Sequence, residues 1–151
     1  VGDGVAIELE GGRELSAYLK GLPDKVRKRT IGRALRKGAL PLLDHAVANA
    51  PVADEAHTHG GVTVAPGTMQ RSMTVSKRRS RDGDDITYAI GPSRNVWYGF
   101  FTEMGTKYIA PMAWLESALD SGHQESLNAV IKVLQGSMKR WKAKQRKLAN
   151  G

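Results

Sequence analysis

Few side chains in this chain could do chemistry, and the tightest grouping of them is His57-Thr58-His59, with Asp54 and Glu55 just upstream. Two imidazoles this close on a glycine-rich segment can hold a divalent cation. A structural or catalytic metal needs a third or fourth ligand, however, and none recurs at a useful spacing. The 151 residues include no cysteine, which excludes thiolate zinc sites, a thiol nucleophile and a disulfide framework. His45 falls on a helix surface and His123 at a helix start. Glu103 is the one acid in an apolar, aromatic neighbourhood. A general acid is a conceivable role, but no second acid or base lies near it in sequence, so a structural hydrogen bond or an interface is expected. No serine sits in a nucleophile elbow, and neither a phosphate-binding Gly-x4-Gly-Lys-Ser/Thr loop nor a strand followed by Gly-x-Gly-x-x-Gly occurs. The expectation is no enzyme, no cofactor and no metal.

The charge points elsewhere. Lys and Arg number 23 against 15 Asp and Glu, a formal +8, which suggests an acidic partner, nucleic acid most simply. Twenty-one of the 23 basic residues lie in three clusters, 13–37, 71–81 and 132–147; only Arg94 and Lys107 fall outside. No acid follows Glu125. Each cluster alone reads as a solvated face; three in one small domain favour at least one facing a polyanion. No window approaches the ~18–20 apolar residues of a membrane span, and no basic-then-apolar signal peptide opens the chain.

Length and composition, 40% hydrophobic and 25% charged, fit one globular domain. The organisation expected is an arm at 1–12, a single α+β domain at 13–141 with a long loop at 51–69, and a basic tail at 142–151. Leu15, Tyr18, Leu19 and Leu22 recur at helical spacing and stop at Pro23. Asp24 opens a long second helix whose apolar stripe is Val26, Ile31, Ala34, Leu35, Gly38, Leu42, Ala46 and Ala50. Pro41 within it predicts a kink, and Pro51 ends it. The segment 51–69 carries Gly60, Gly61, Pro66 and Gly67 and almost no large apolar side chain, so it reads as a loop that orders against a partner. Alternation then predicts strands at 72–77 and 85–90, with Asp82-Gly83 turning between them and Gly91-Pro92 closing the hairpin. An aromatic run, Trp97-Tyr98-Gly99-Phe100-Phe101, leads into Thr102-Glu103-Met104-Gly105-Thr106. Gly105 is expected to take a backbone conformation other residues avoid, and Thr106 to cap the turn through its hydroxyl. Trp97, Tyr98, Phe100 and Phe101 are too closely spaced to share one small core, so some must be exposed or at an interface. Pro111 is expected to start a helix burying Met112, Leu115, Ala118 and Leu119. A last helix follows Ser121-Gly122, with a frayed end.

The order of four motifs carries more than any one of them. Asn49-Ala50-Pro51 ends the basic helix; Gly67-Thr68-Met69-Gln70-Arg71-Ser72 opens the hairpin; the aromatic run meets Glu103-Met104-Gly105-Thr106; and Pro111-Met112-Ala113-Trp114-Leu115-Glu116-Ser117-Ala118-Leu119 follows. This combination, over residues 14–120, resembles the neck and tail-completion (head–tail joining) proteins of long-tailed bacteriophages. Met69 stands where that family prefers Leu, Arg71 lies one place beyond the family's Arg, and Met112 and Ala113 replace the aromatic usual after the proline, with Trp114 expected to fill the same pocket.

The resemblance implies a small antiparallel sheet packed by a long kinked helix and C-terminal helices, in a non-enzymatic virion protein assembled in the host cytoplasm. It further implies a homo-oligomeric ring, a hexamer, between a head-closure or connector protein and the tail tube or terminator protein, with phage DNA passing through the lumen and no membrane involved. The residues expected at subunit or partner interfaces are Trp97, Tyr98, Phe101, Glu103, Gly105, Thr106, Arg78, Arg79 and Asp82. Those expected to face the DNA channel are Lys28, Arg29, Arg36 and Lys37, in a lining of mixed sign. The competing expectation is a sequence-independent nucleic-acid-binding module using the basic helix and tail.

Overall fold

In the computed structural model, residues 9–59, 61–79 and 85–151 are described; the Asp82-Gly83 turn and most of the 1–12 arm lie outside them. Helix α1, Gly12–Gly21, buries Leu15 and Tyr18. Leu22 is extended at φ −81° and ψ 143°, as the residue before a proline should be. Pro23 then leads into α2, Asp24–Asn49. Asp24 pairs with Arg27 at 2.5 Å and Lys28 at 3.3 Å, placing acid before base along the first turns as the helix dipole favours.

The α2 helix runs through Pro41 to Asn49. Its buried residues are Thr30, Gly32, Ala34, Gly38, Ala39 and Ala46, a face made of small side chains. Val26, expected in the stripe, is exposed. Small residues allow close approach, and the partner is α5, Trp114–Ala149. A Cβ on Gly38 would collide with Val130 Cγ2 and stand 3.0 Å from the Ser126 carbonyl oxygen. A Cβ on Gly122 would stand 2.7 Å from His45 Cδ2 and 3.1 Å from Leu42 Cδ2. The two helices are antiparallel, since higher numbers on α2 meet lower numbers on α5. His45 Nε2 adds a polar tie to Glu125 Oε2 at 3.6 Å.

These contacts correct the expectation of two C-terminal helices. Gly122 is not a break; it is the small residue that lets α2 in, and α5 passes through it as one 36-residue helix. That helix starts at Trp114 rather than Pro111, and Met112 and Leu119, expected to be buried, are exposed. The basic end remains helical to Ala149.

The segment expected as a long loop contains structure of its own. Strands β1, His57–His59, and β2, Val62–Val64, pair antiparallel with His57 opposite Val64. Helix α3, Thr68–Ser72, occupies the motif expected to open the sheet, so β3 begins only at Met73 and runs to Arg78. Its antiparallel partner β4, Thr87–Pro92, pairs Met73 with Pro92 and Arg78 with Thr87. Gly91 and Pro92 therefore belong to the ladder, the proline at its end, where a missing N–H costs little. The β3–β4 hairpin lies on α2 beside Gly32, where a Cβ would make ordinary contact with Ile86 at 3.7 Å and Tyr88 at 3.8 Å.

Two apolar clusters hold the elements together. Ala46, Ala50, Met69, Val96, Trp114 and Ala118 form one; Leu15, Tyr18, Leu22 and Met138 form the other. In the second, Tyr18 Oη and Ser137 Oγ are 3.0 Å apart, so the buried hydroxyls satisfy each other. Glu14 and Lys142 pair nearby, tying α1 to the far end of α5.

Candidate interaction surfaces

The first surface is built at the junction of α4, Gly99–Met104, with the start of α5. A 3-10 turn at Arg94–Val96 buries Val96 and sets the entry into α4. The chain must then reverse into α5, whose first amides lack intrahelical partners. Ala113, the residue before the helix, sits at φ 46° and has no side-chain oxygen to cap with. Glu103 supplies the cap from α4: its carboxylate accepts from Leu115 N at 2.7 Å and Glu116 N at 3.1 Å. Thr102 contributes twice, its carbonyl accepting from Met112 N at 2.9 Å and its hydroxyl from Trp114 Nε1 at 3.2 Å.

Gly105 makes the reversal possible. Its φ is +75°, and a Cβ there would stand 2.7 Å from Pro111 N and 2.9 Å from the Ile109 carbonyl oxygen. Thr106 then closes the turn, its hydroxyl accepting from Tyr108 N and Ile109 N, each at 3.1 Å, and its own N–H donating to the Ile109 carbonyl at 2.8 Å. The Glu-Met-Gly-Thr stretch thus has an architectural job, and Glu103 works through hydrogen bonds rather than as an acid.

What this junction displays is apolar. Phe100 is 63% exposed, Trp97 55% and Tyr108 87%, with Phe101, Met104, Ile109 and Met112 also open to solvent. Trp97 and Phe101 meet edge to face at 5.6 Å between ring centroids, and Phe100 and Phe101 at 5.9 Å. Such edge contacts hold the rings in a fixed array. Tyr98 turns the other way, into a groove of about 240 Å³ lined by Val52, His57, Val64, Met69, Thr102 and Met112 among others. Its hydroxyl is buried without a hydrogen-bond partner among the described residues, and that burial raises its pKa above 10.0.

The second surface gathers the basic clusters that the sequence leaves apart. On α2, Lys25, Lys28 and Arg29 face Lys77, Arg78 and Arg79 from the end of β3 across a groove of about 630 Å³, in which Asp85 is the only acid among the described residues. On the other side of Arg29, a second groove of about 360 Å³ runs between α1, α2 and α5, with Arg33, Arg140 and Lys144 in its walls and Tyr18, Leu22, Val26 and Trp141 among its apolar lining. Arg29 belongs to both.

Of the residues expected at interfaces, Trp97, Tyr98, Phe101, Glu103, Gly105 and Thr106 come together at the α4–α5 junction. Arg78 and Arg79 lie instead in the basic groove, and Asp82 is outside the described residues. Lys28 and Arg29 line the groove as well, while Arg36 and Lys37 are exposed about two turns beyond it on α2. Sequence spacing could not reveal that Arg140 and Lys144 join Arg29, because that meeting depends on the antiparallel pairing of α2 with α5. The groove under Tyr98 was hidden for a similar reason: the signal for β1–β2 was masked by glycines. Among the described residues, no three His, Cys, Asp or Glu side chains cluster to hold a metal, and no helix is long and apolar enough to cross a membrane.

Two long helices packed through glycines, two small hairpins, an apolar face and a basic face define an α+β protein whose features are surfaces for assembly. Residues 13–105 match the model of the HK97-gp10-like family, described as "Bacteriophage HK97-gp10, putative tail-component". The chain belongs to this family, which makes it a structural phage tail component and a virion protein. No curated protein and no solved structure is significantly similar to it.

Proposed function

We propose that this tail component acts at the phage neck, its subunits closing into a ring, a hexamer, that joins the capsid connector to the tail tube as a tail-completion or head–tail joining protein. The carrying observation is the aromatic face on α4 beside the Tyr98 groove. An exposed apolar patch of this kind, held rigid and rimmed by polar side chains, marks a protein-binding surface. Trp97, Tyr98 and Phe101 supply its contacts, and Glu103, Gly105 and Thr106 fix its shape. A ring needs contacts between two different patches of neighbouring subunits, and the rings and the groove on either side of α4 are two such patches.

In this reading DNA passes through the lumen, with head-closure and tail-tube proteins on the two ring faces.

Native mass spectrometry with negative-stain imaging of the purified chain tests the proposal. The expected result is a closed ring that the double variant Trp97→Ser/Phe100→Ser converts to monomers. A wild type that stays monomeric at tens of micromolar, and that never enters tailed particles, overturns it.

A further inference from the structure

We infer that the two grooves sharing Arg29 form one binding site for the phosphate backbone of duplex DNA, read without regard to base sequence. The inference rests on the tail-component reading only for the choice of DNA as the polyanion; it does not require the ring. Among the described residues, nine basic side chains line the two grooves, with Asp85 the only acid. Lys28 is partly neutralised by Asp24, at 3.3 Å, while Lys77, Arg78 and Arg79 are exposed on the opposite wall.

The spacing suits a regular polyanion. Lys25, Arg29 and Arg33 follow one another at four-residue intervals along the outer ridge of α2, which places them ~6 Å apart along its axis. Every second phosphate of one DNA strand advances ~6.8 Å. The chemistry of the walls also fits backbone contact. Lys and Arg are the residues of phosphate recognition, and among the described residues neither groove is lined by Asn or Gln, the usual readers of adenine edges. An acidic protein segment is the other occupant such charge could take. The even repeat of Lys25, Arg29 and Arg33 on α2, with further cations from β3 and α5 beside it, favours a partner whose charge is equally regular and continues beyond the groove.

The test uses the full chain and a fluorescein-labelled 20-base-pair duplex of arbitrary sequence, titrated by anisotropy from 50 to 300 mM salt. The face variant Arg29→Gln/Arg78→Gln removes one cation from each of α2 and β3. The control Arg94→Gln/Lys107→Gln removes the same charge from the two basic residues outside the three clusters. All four side chains are exposed, so both variants should fold, as circular dichroism will check. Counterion release makes each phosphate contact worth about 8-fold at 0.1 M salt. The face variant should then bind on the order of 50-fold more weakly, with the log–log salt slope reduced by ~1.8, while the control stays within about 3-fold. Equal weakening of the two variants, or no binding by the wild type, overturns the site. So does displacement of the duplex by a poly-glutamate peptide at equal charge concentration, which would assign the grooves to an acidic protein partner. Native mass spectra of the same samples keep the ring apart: a monomer that binds DNA upholds this site against the ring, and a ring that ignores DNA does the reverse.

Discussion

Replacing Glu103 by alanine should destabilise the protein by about 2 kcal/mol, because one carboxylate closes two open amides of a long helix. The Leu115 bond at 2.7 Å is short and charge-assisted, and the Glu116 bond is 3.1 Å. Hydrogen bonds to a charged group contribute ~1.5–3 kcal/mol each when buried, and a side-chain N-cap ~0.5–2 kcal/mol. Glu103 is only half-buried, so the pair belongs near the upper end of the cap range rather than at the sum of two buried bonds. For a chain of this length ~2 kcal/mol corresponds to a fall of ~4–8 °C in melting temperature. Glu103→Gln, which keeps one carbonyl acceptor and loses the charge, should lose about half as much. Urea unfolding at fixed protein concentration is the assay, since any self-association would shift the midpoint. Glu55→Ala, exposed and remote from α5, is the control and should stay within ~0.5 kcal/mol. A Glu103→Ala midpoint indistinguishable from that control would refute the capping argument and return Glu103 to the pool of candidate interface or acid groups.

Gly38→Ala should cost more than Gly122→Ala in the same assay. Gly38 meets the Ser126 backbone carbonyl, which cannot yield without moving α5, whereas Gly122 meets only the side chains of His45 and Leu42; overpacking of the first kind costs ~1–3 kcal/mol. Tyr18→Phe should lose ~1 kcal/mol by leaving the buried Ser137 hydroxyl without its partner at 3.0 Å. Tyr98→Phe should leave stability at pH 7 unchanged or slightly raised, since the buried hydroxyl it deletes has no hydrogen-bond partner among the described residues. Above pH 10 the two proteins should diverge. Burial raises the folded pKa of Tyr98 above the ordinary tyrosine value of 10.0, so the folded state holds that proton more tightly and wild-type stability falls as pH climbs through and beyond 10. The phenylalanine variant lacks that component, and parallel pH–stability curves for the two would refute the assignment.

The sequence was most legible where local rules and tertiary packing agree. Leu22-Pro23 and Ala50-Pro51 bound α2 because a residue before proline avoids the helical region, whatever packs around it. Gly105-Thr106 was legible because a positive φ and a hydroxyl-closed turn are backbone facts. Gly122 was misleading for a physical reason: Ser-Gly reads locally as a helix break, but a residue facing another helix at close range must be small, and tertiary packing outweighs the ~1 kcal/mol propensity cost. The hairpin at His57–Val64 was obscured because three-residue strands beside two glycines give no usable alternation. The α2 stripe was only half legible. Val26 and Ile31 looked like core by type, yet the buried positions of α2 went to small residues, Ala34, Gly38 and Ala39 among them.

The two surfaces answer to different physics, and their placement lets them be separated. The basic grooves lie at the start of α2 around Arg29, and the core beneath the aromatic face reaches α2 at Ala46 and Ala50. From Arg29 to Ala46 is 17 residues of continuous helix, ~25 Å, beyond the ~8–10 Å over which salt screens exposed charges at physiological ionic strength. Substitutions on one surface should therefore add to those on the other without coupling. Salt provides the discriminating variable. Backbone binding at the grooves must weaken as counterions lose their entropic advantage in leaving DNA, whereas association through Trp97, Phe100 and Phe101 has no such dependence and strengthens in excluded salts such as sulfate. An assembly that dissolved in salt in step with DNA release would mean that the basic grooves, not the aromatic face, hold subunits together. An assembly that persists while DNA leaves assigns the rings to protein contact and the cations to the nucleic acid, on one rigid helix pair that serves both.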